Sequence, residues 1–313
     1  MTADATLRLG TRGSELALWQ AERIAGRLRD ELGLDCRIDV IRTQGDRVQD
    51  LPMHQMEGKG FFTKELQEAL LERRIDLVVH SLKDLPTEEP PGLEIAAIPE
   101  RGAATDVLLA ARGSLRLTPA DPIGLPQRAV VGTSSLRRAA QLLALRPDLQ
   151  VRTLRGNVPT RVGRLRDGRY DAIVLAAAGI DRLGLSLDGL ERRDLAPEVM
   201  LPAPGQGALA IETRQDDAAG LPLRALDDPA VARCVAAERG LLALLGGGCH
   251  LPLGCLATEE RGTIRLQAAL GAIDGAGGRA EVARVASVAA GPEAAARACF
   301  EALRLAMPEV AGR

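Results

Sequence analysis

Two short stretches carry residues whose types and order could do chemistry. His80-Ser81-Leu82-Lys83-Asp84-Leu85-Pro86 follows an apolar run, so an acid and an ammonium would face a cleft at a strand end. A plain surface Lys–Asp pair satisfies the same spacing. Gly246-Gly247-Gly248-Cys249-His250-Leu251-Pro252 sets a thiol on a loop whose glycines leave its backbone open to a close approach. Most free cysteines are small buried hydrophobes, and Cys36, Cys234, Cys255 and Cys299 read that way. His250 lies between Cys249 and Cys255, but two thiols and one imidazole at that spacing are not a structural zinc set. No Ser–His–Asp arrangement can be nominated, and no metal is expected.

A second signal is cationic. Leu9 leads into Thr11-Arg12-Gly13-Ser14, Val131 into Thr133-Ser134-Ser135-Leu136-Arg137-Arg138, and Leu154 into Arg155-Gly156-Asn157, then Thr160-Arg161. Open α/β sheets bind ligands at the carboxyl ends of their strands. Helix N-termini there offer unpaired N–H groups, and an arginine fork grips carboxylate or phosphate with two bonds. Several such turns in one chain suit a cleft for a polyanion. The chain has three lysines, Lys59, Lys64 and Lys83, and the other basic residues are arginine, a bias that codon usage explains. Codon usage does not explain position. Between Val131 and Tyr170 nine arginines face only Asp148 and Asp167, an imbalance that asks for an anionic partner. Nucleotide loops are absent, since Glu57-Gly58-Lys59-Gly60 lacks the upstream glycine of a P-loop. Aromatics at 2% leave few stacking platforms for nucleic acid.

Strands alternating with helices must hold these turns. The reading predicts strands at 6–10, 36–42, 76–80, 129–132, 150–154 and 170–176. It predicts helices from Ser14 to a stop at Gly33, then over 62–72, 135–145 and 161–166. That order implies parallel sheets flanked by helices. From about Asp217 the texture shifts to strands at 264–270 and 282–288 and a helix over 293–306, a small α+β unit. Length allows two or three domains, for 313 residues at 46% hydrophobic and 26% charged. A net charge of −2 announces no partner. No signal segment or membrane-length apolar run is read, and five cysteines without CxxC spacing suit a reduced compartment. The expectation is a cytoplasmic protein.

Eight segments, in order, carry a resemblance: TRGSELALWQA, GKGFFTKEL, VVHSLKDLPT, GTSSLRRAAQL, LRGNVPTR, DAIVLAAAGIDRLG, PGQGALAIE and GGGCHLPLG. Together they resemble the porphobilinogen deaminase (hydroxymethylbilane synthase) family from Thr11 to Gly254. The resemblance implies α/β architecture, with two doubly wound lobes like those of type II periplasmic binding proteins and a small α+β C-terminal domain. It divides the chain into 1–104 with 199–219, 105–198, and 220–313, with a mobile lid over 43–60. It implies a transferase that polymerises four porphobilinogen molecules with loss of ammonia to the linear tetrapyrrole hydroxymethylbilane. The primer would be a dipyrromethane cofactor in thioether linkage to Cys249. Asp84 would be the catalytic acid. Lys83, Ser135, Arg137, Arg138 and Arg155 would hold the cofactor, and Arg12, Ser14, Gln20, Arg161, Arg182, Gln206 and Lys59 the substrate. Lid residues Gln55 and Glu57 depart from common family choices, as do Pro159 and Gly163. Expected partners are porphobilinogen and the next enzyme of tetrapyrrole synthesis, with no nucleic acid, no membrane and a monomeric state. A small-anion binding protein of the periplasmic type II class is the runner-up, and an RNA-binding protein using the arginines a third reading.

Overall fold

The computed structural model describes residues 6–43, 63–118, 121–218, 221–247, 251–274 and 280–311. Strand β1 (Leu7–Thr11) opens the chain and helix α1 (Glu15–Leu32) follows. Ser14 accepts the Ala17 N–H at the start of α1, and left-handed Gly33 ends it with its N–H on the Arg29 carbonyl. Ala21, Ile24 and Leu28 form its buried stripe, as the helical spacing requires. Next come β2 (Cys36–Val40), α2 (Lys64–Leu71), β3 (Leu77–Ser81) and, after a single 3₁₀ turn at Leu82–Asp84, β4 (Leu93–Ala97).

The second group holds β5 (Asp106–Ala111), β6 (Val130–Gly132), α3 (Leu136–Leu145), β7 (Gln150–Arg152), α4 (Val158–Arg166), β8 (Ala172–Ala176), α5 (Ala177–Leu183) and β9 (Leu190–Leu195). Helix α4 starts three residues earlier than its apolar pattern predicts. Asn157 caps it by accepting the Thr160 N–H, and Pro159 sits in its first turn, where a missing N–H costs nothing.

Strand β10 (Leu209–Arg214) then returns to the first sheet, whose order is β2-β1-β3-β10-β4. It runs antiparallel between β3 and β4, while β1 pairs parallel with β2 and β3. The second sheet, β7-β6-β8-β5-β9, has β5 antiparallel to both neighbours. Each sheet therefore contains one strand delivered by a crossing from the other. The two crossing segments pair: Gly102 donates to the Gly207 carbonyl at 2.9 Å and Leu209 to that of Glu100 at 3.1 Å. Gly207 has φ +86°, and a Cβ there would stand 2.6 Å from the Gly102 carbonyl oxygen, so only glycine fits.

Helix α6 (Pro229–Leu244), strands β11 (Leu253–Glu260), β12 (Thr263–Ile273) and β13 (Ala280–Ala289), and helix α7 (Pro292–Ala306) follow, with a last turn of helix at Pro308–Ala311. The three strands form an antiparallel sheet, and α6 and α7 cover one face through Ala237, Leu241, Ala296, Cys299 and Leu303. This is α/β architecture with two doubly wound sheets and a third, α+β unit. No helix among the described residues is long and apolar enough to cross a membrane.

Candidate active site

Parallel pairing brings the carboxyl ends of β1 and β3 side by side, with Gly10 opposite Val78. Arg12 and Ser14 therefore emerge beside Ser81, Lys83 and Asp84. Gln20 reaches across from α1, buried, and donates to the Ser81 hydroxyl at 2.9 Å. In the second sheet, Gly132 pairs with Arg152 and Ile173, which gathers the turns after β6, β7 and β8 in the same way. Ser135 caps α3, accepting the Arg138 N–H.

The two lobes meet electrostatically. Lys83 lies within reach of the charges of Asp84, Arg138, Asp106 and Arg137. Burial is the main influence on its ammonium and lowers its pKa from 10.5 to about 8. Its side chain is only partly exposed. Arg161 is pulled to about 10, again chiefly by burial, with Arg138, Arg155 and Arg164 adding repulsion and Asp84 opposing it. Among the described residues, neither Lys83 nor Arg161 has a carboxylate within ion-pair distance; Arg161 instead donates to the Gly156 carbonyl at 2.7 Å. Asp84 is exposed, and no hydrogen bond among the described residues occupies its oxygens.

Arg137 and Arg138 are buried and share one carboxylate, that of Asp106 at the start of β5. Arg137 Nη1 donates to Oδ2 at 2.6 Å, and Arg138 donates to Oδ1 from Nε at 3.0 Å and Nη2 at 2.7 Å. Burial alone would raise the Asp106 carboxyl, but the two guanidinium groups overcome it and hold it well below the usual range. Arg137 also donates to Leu201 O, and Arg138 to Val174 O. Gln206 adds a fourth bond to Asp106 at 3.1 Å and donates to Ala104 O at 2.7 Å, so it ties the crossing segment to the arginine pair. Arg182 donates to Gly207 O at 2.7 Å, and its Cζ lies 5.5 Å from the centre of the Trp19 ring. It braces the crossing against α1.

Part of the arginine imbalance is settled internally. Arg146 pairs with Asp121 and Asp148, and the Asp106 cluster balances one charge of the 137–138 pair. Asp106 and Asp121 lie outside the window in which the imbalance was counted. Asp106 is the residue that sequence reasoning missed. Its signal was an acid opening the apolar run DVLLAA, which a buried strand tolerates only when the charge is paired. His80 is also accounted for, hydrogen-bonded at 2.9 Å to buried Glu212, which Gln67 binds from α2.

Cys249 and Lys59 lie outside the described residues, as do Gln55 and Glu57. The four described thiols are unsuited to nucleophilic work. Burial raises Cys36 to about 11, raises Cys234 and Cys299, and pushes Cys255 far up. Among the described residues, no group of His, Cys, Asp or Glu could hold a metal.

Among the described residues the site thus gathers more cation than carboxylate, with one acid, Asp84, whose oxygens accept no hydrogen bond. A family model described as "Porphobilinogen deaminase, dipyromethane cofactor binding domain" matches residues 7–221, and "Porphobilinogen deaminase, C-terminal domain" matches residues 232–302. The porphobilinogen deaminase of Maridesulfovibrio salexigens is 48% identical over 272 residues, 86% of this chain and 85% of that one. That of Acidothermus cellulolyticus is 50% identical over 270 residues, 84% and 78% of the two chains. Among solved structures, the periplasmic VFT2 domain of Bordetella pertussis BvgS aligns with a TM-score of 0.41 and 14% identity, covering 70% of this chain and 84% of that one. Matched by these models over most of its length, the chain belongs to the porphobilinogen deaminase family.

Proposed function

We propose that this chain joins four porphobilinogen molecules head to tail, loses one ammonia at each addition, and uses one water to release the linear product hydroxymethylbilane. The observation that carries this reading is the convergence of Lys83 and Arg161, neither with a carboxylate in ion-pair distance among the described residues, with Asp84 at the carboxyl ends of the strands, in a member of this family. Each pyrrole brings an acetate and a propionate, so a growing chain is a polycarboxylate of the kind this cationic cleft would hold. A small-anion binding protein is not favoured, because the family matches run through all three sheets.

Asp84 serves as the acid. Its carboxylate is free to accept pyrrole N–H bonds, to stabilise the cation left when the substrate loses ammonia, and to assist proton transfer. Lys83, Arg161, Arg155 and Arg12 take ligand carboxylates. Arg137 and Arg138 arrive already aimed by Asp106, and Ser14, Ser135, Gln20, Gln206 and Arg182 hold the turns and the crossing that present them.

A dipyrromethane group fits the donor set: its acidic side arms would meet cations, of which Lys83 has no carboxylate in ion-pair distance among the described residues. When bound, it supplies the primer to which the first substrate is joined. Lys83, Ser135, Arg137, Arg138 and Arg155 would hold its carboxylates, Cys249 would carry it through a thioether, and Lys59 would bind the substrate. We assign residues 1–104 with 199–219 and 105–198 to the two lobes, and 220–313 to the thiol-bearing unit. The protein works as a cytoplasmic monomer that passes its product to the next enzyme of tetrapyrrole synthesis.

Intact-protein mass spectrometry tests the attachment. The purified protein should exceed its sequence mass by two linked pyrrole units, Cys249→Ala should be at bare mass and inactive, and Cys255→Ala should keep the adduct. An active protein at bare mass refutes the assignment.

A further inference from the structure

We propose that Arg239, on helix α6, is a positioning residue for Asp84, fixing the acid by gripping the backbone just beyond it. The inference rests on the role given to Asp84 above. Asp84 ends a single 3₁₀ turn, Leu82–Asp84, a geometry with weak internal bonding that needs outside anchors. Upstream, the anchors are the β3–β10 pairing and the Leu82 N–H on Ala208 O at 3.0 Å. Downstream, Arg239 supplies the anchor. Its Nη2 donates to Pro86 O at 2.7 Å and its Nη1 to Leu85 O at 3.2 Å. Proline has no N–H, so its carbonyl is the one backbone group there that can be tethered. Leu82 and Leu85 also pack against Val235, one helical turn before Arg239 on the same helix.

What makes this grip firm is the neighbouring residue. Glu238 is fully buried, and its carboxylate takes Arg101 at 2.8 and 3.1 Å, the Gly205 N–H at 2.7 Å and the Ala257 N–H at 2.9 Å. Arg101 and Gly205 lie on the two crossing segments, and Ala257 on β11. Helix α6 is therefore locked to the crossing and to its own sheet, and consecutive residues register the crossing and the acid to one rigid element. Ten residues beyond Arg239, the same stretch of chain reaches Cys249. The arrangement holds the acid at a fixed place relative to α6.

The test is single-turnover ammonia release by cofactor-loaded protein in a double-mutant cycle of Arg239→Leu and Asp84→Asn. Arg239→Leu should slow release roughly 10- to 100-fold, the scale of an ångström-sized misplacement. It should leave cofactor mass unchanged and KM within about twofold, a split that identifies a loss confined to the transition state. Arg239→Lys, which keeps the charge and one donor, should recover part of the rate. In the Asp84→Asn background the leucine change should cost nothing further, since a residue acting through Asp84 has nothing left to position. Wild-type speed in Arg239→Leu overturns the proposal, as does the same fold-loss in both backgrounds or a loss that follows missing cofactor. Should the leucine variant not fold, Arg239→Gln carries the same comparison. Fast release by Asp84→Asn alone would instead sink the acid assignment, whatever Arg239 does.

Discussion

Asp106→Asn removes the carboxylate shared by two buried guanidinium groups while keeping nearly the same volume. The oxygens of Asp106 accept four hydrogen bonds, three from Arg137 and Arg138 at 2.6 to 3.0 Å and one from Gln206. Asparagine keeps one acceptor but turns an NH₂ toward guanidinium donors, and it leaves two positive charges side by side in a buried site. Breaking a buried pair by removing one partner costs about 3–5 kcal/mol. At roughly 2–4 °C per kcal/mol for chains of this size class, the melting temperature at pH 7 should fall by about 6–20 °C. Because the arginines hold the Asp106 carboxyl below its ordinary range, its contribution is present above the unfolded value near 4 and is lost as pH falls through the folded one. The gap between wild type and variant should therefore narrow below about pH 4. Adding Arg138→Met to Asp106→Asn should restore part of the stability by removing one of the stranded charges. Scanning calorimetry across pH reads all three. A melting temperature within about 1 °C of wild type at pH 7 would refute the view that Asp106 is the counter-charge organising this pair.

Asp84→Asn should fold and bind substrate yet release ammonia on the order of 10²-fold more slowly, with Asp84→Glu less impaired; single-turnover rates at equal cofactor content decide it. Lys83 is charged below its lowered pKa of about 8 and loses that charge as pH rises through it. The porphobilinogen KM should accordingly climb above pH 8 in the wild type and stay flat in Lys83→Arg. A flat wild-type profile would remove Lys83 from the carboxylate grip.

Much of this architecture was legible because apolar runs and caps agree. Ser14, Gly33 and Ser135 mark helix ends in both the sequence and the structure, and LVVHS and AIVLA are strands with the near-continuous burial of central strands covered on both faces. Strands β4, β5, β9 and β10 were not read from the pattern. β9, LERRDL, is an edge strand whose arginines and acids pair along its exposed side, so it shows no apolar signal. β11, LGCLATEE, hides likewise behind a polar second half. At the site, motif order nominated Asp84, Lys83 and the arginines. It could not reveal which arginines were already neutralised, because Asp106 stands 31 and 32 positions from its partners and meets them only through sheet pairing. Arg239 was invisible for the same reason, since its targets are backbone carbonyls 154 and 153 residues away.

The reciprocal crossing of β5 and β10 also sets a timetable for biosynthesis. Strand β10 lies between β3 and β4, so when β4 leaves the ribosome its place beside the nascent sheet is still empty. More than a hundred residues must be translated before β10 arrives, roughly 6–22 s at ordinary elongation rates. Throughout that interval β3 offers an unpaired apolar edge, the kind of surface that recruits other chains. The second sheet, whose strands all lie within Asp106–Leu195, can close first. The emerging polypeptide should thus pass through a state in which the later lobe is native and the earlier one incomplete. A truncation ending before Leu209 should aggregate through β3, and holding chaperones should bind the N-terminal third of the nascent chain longest.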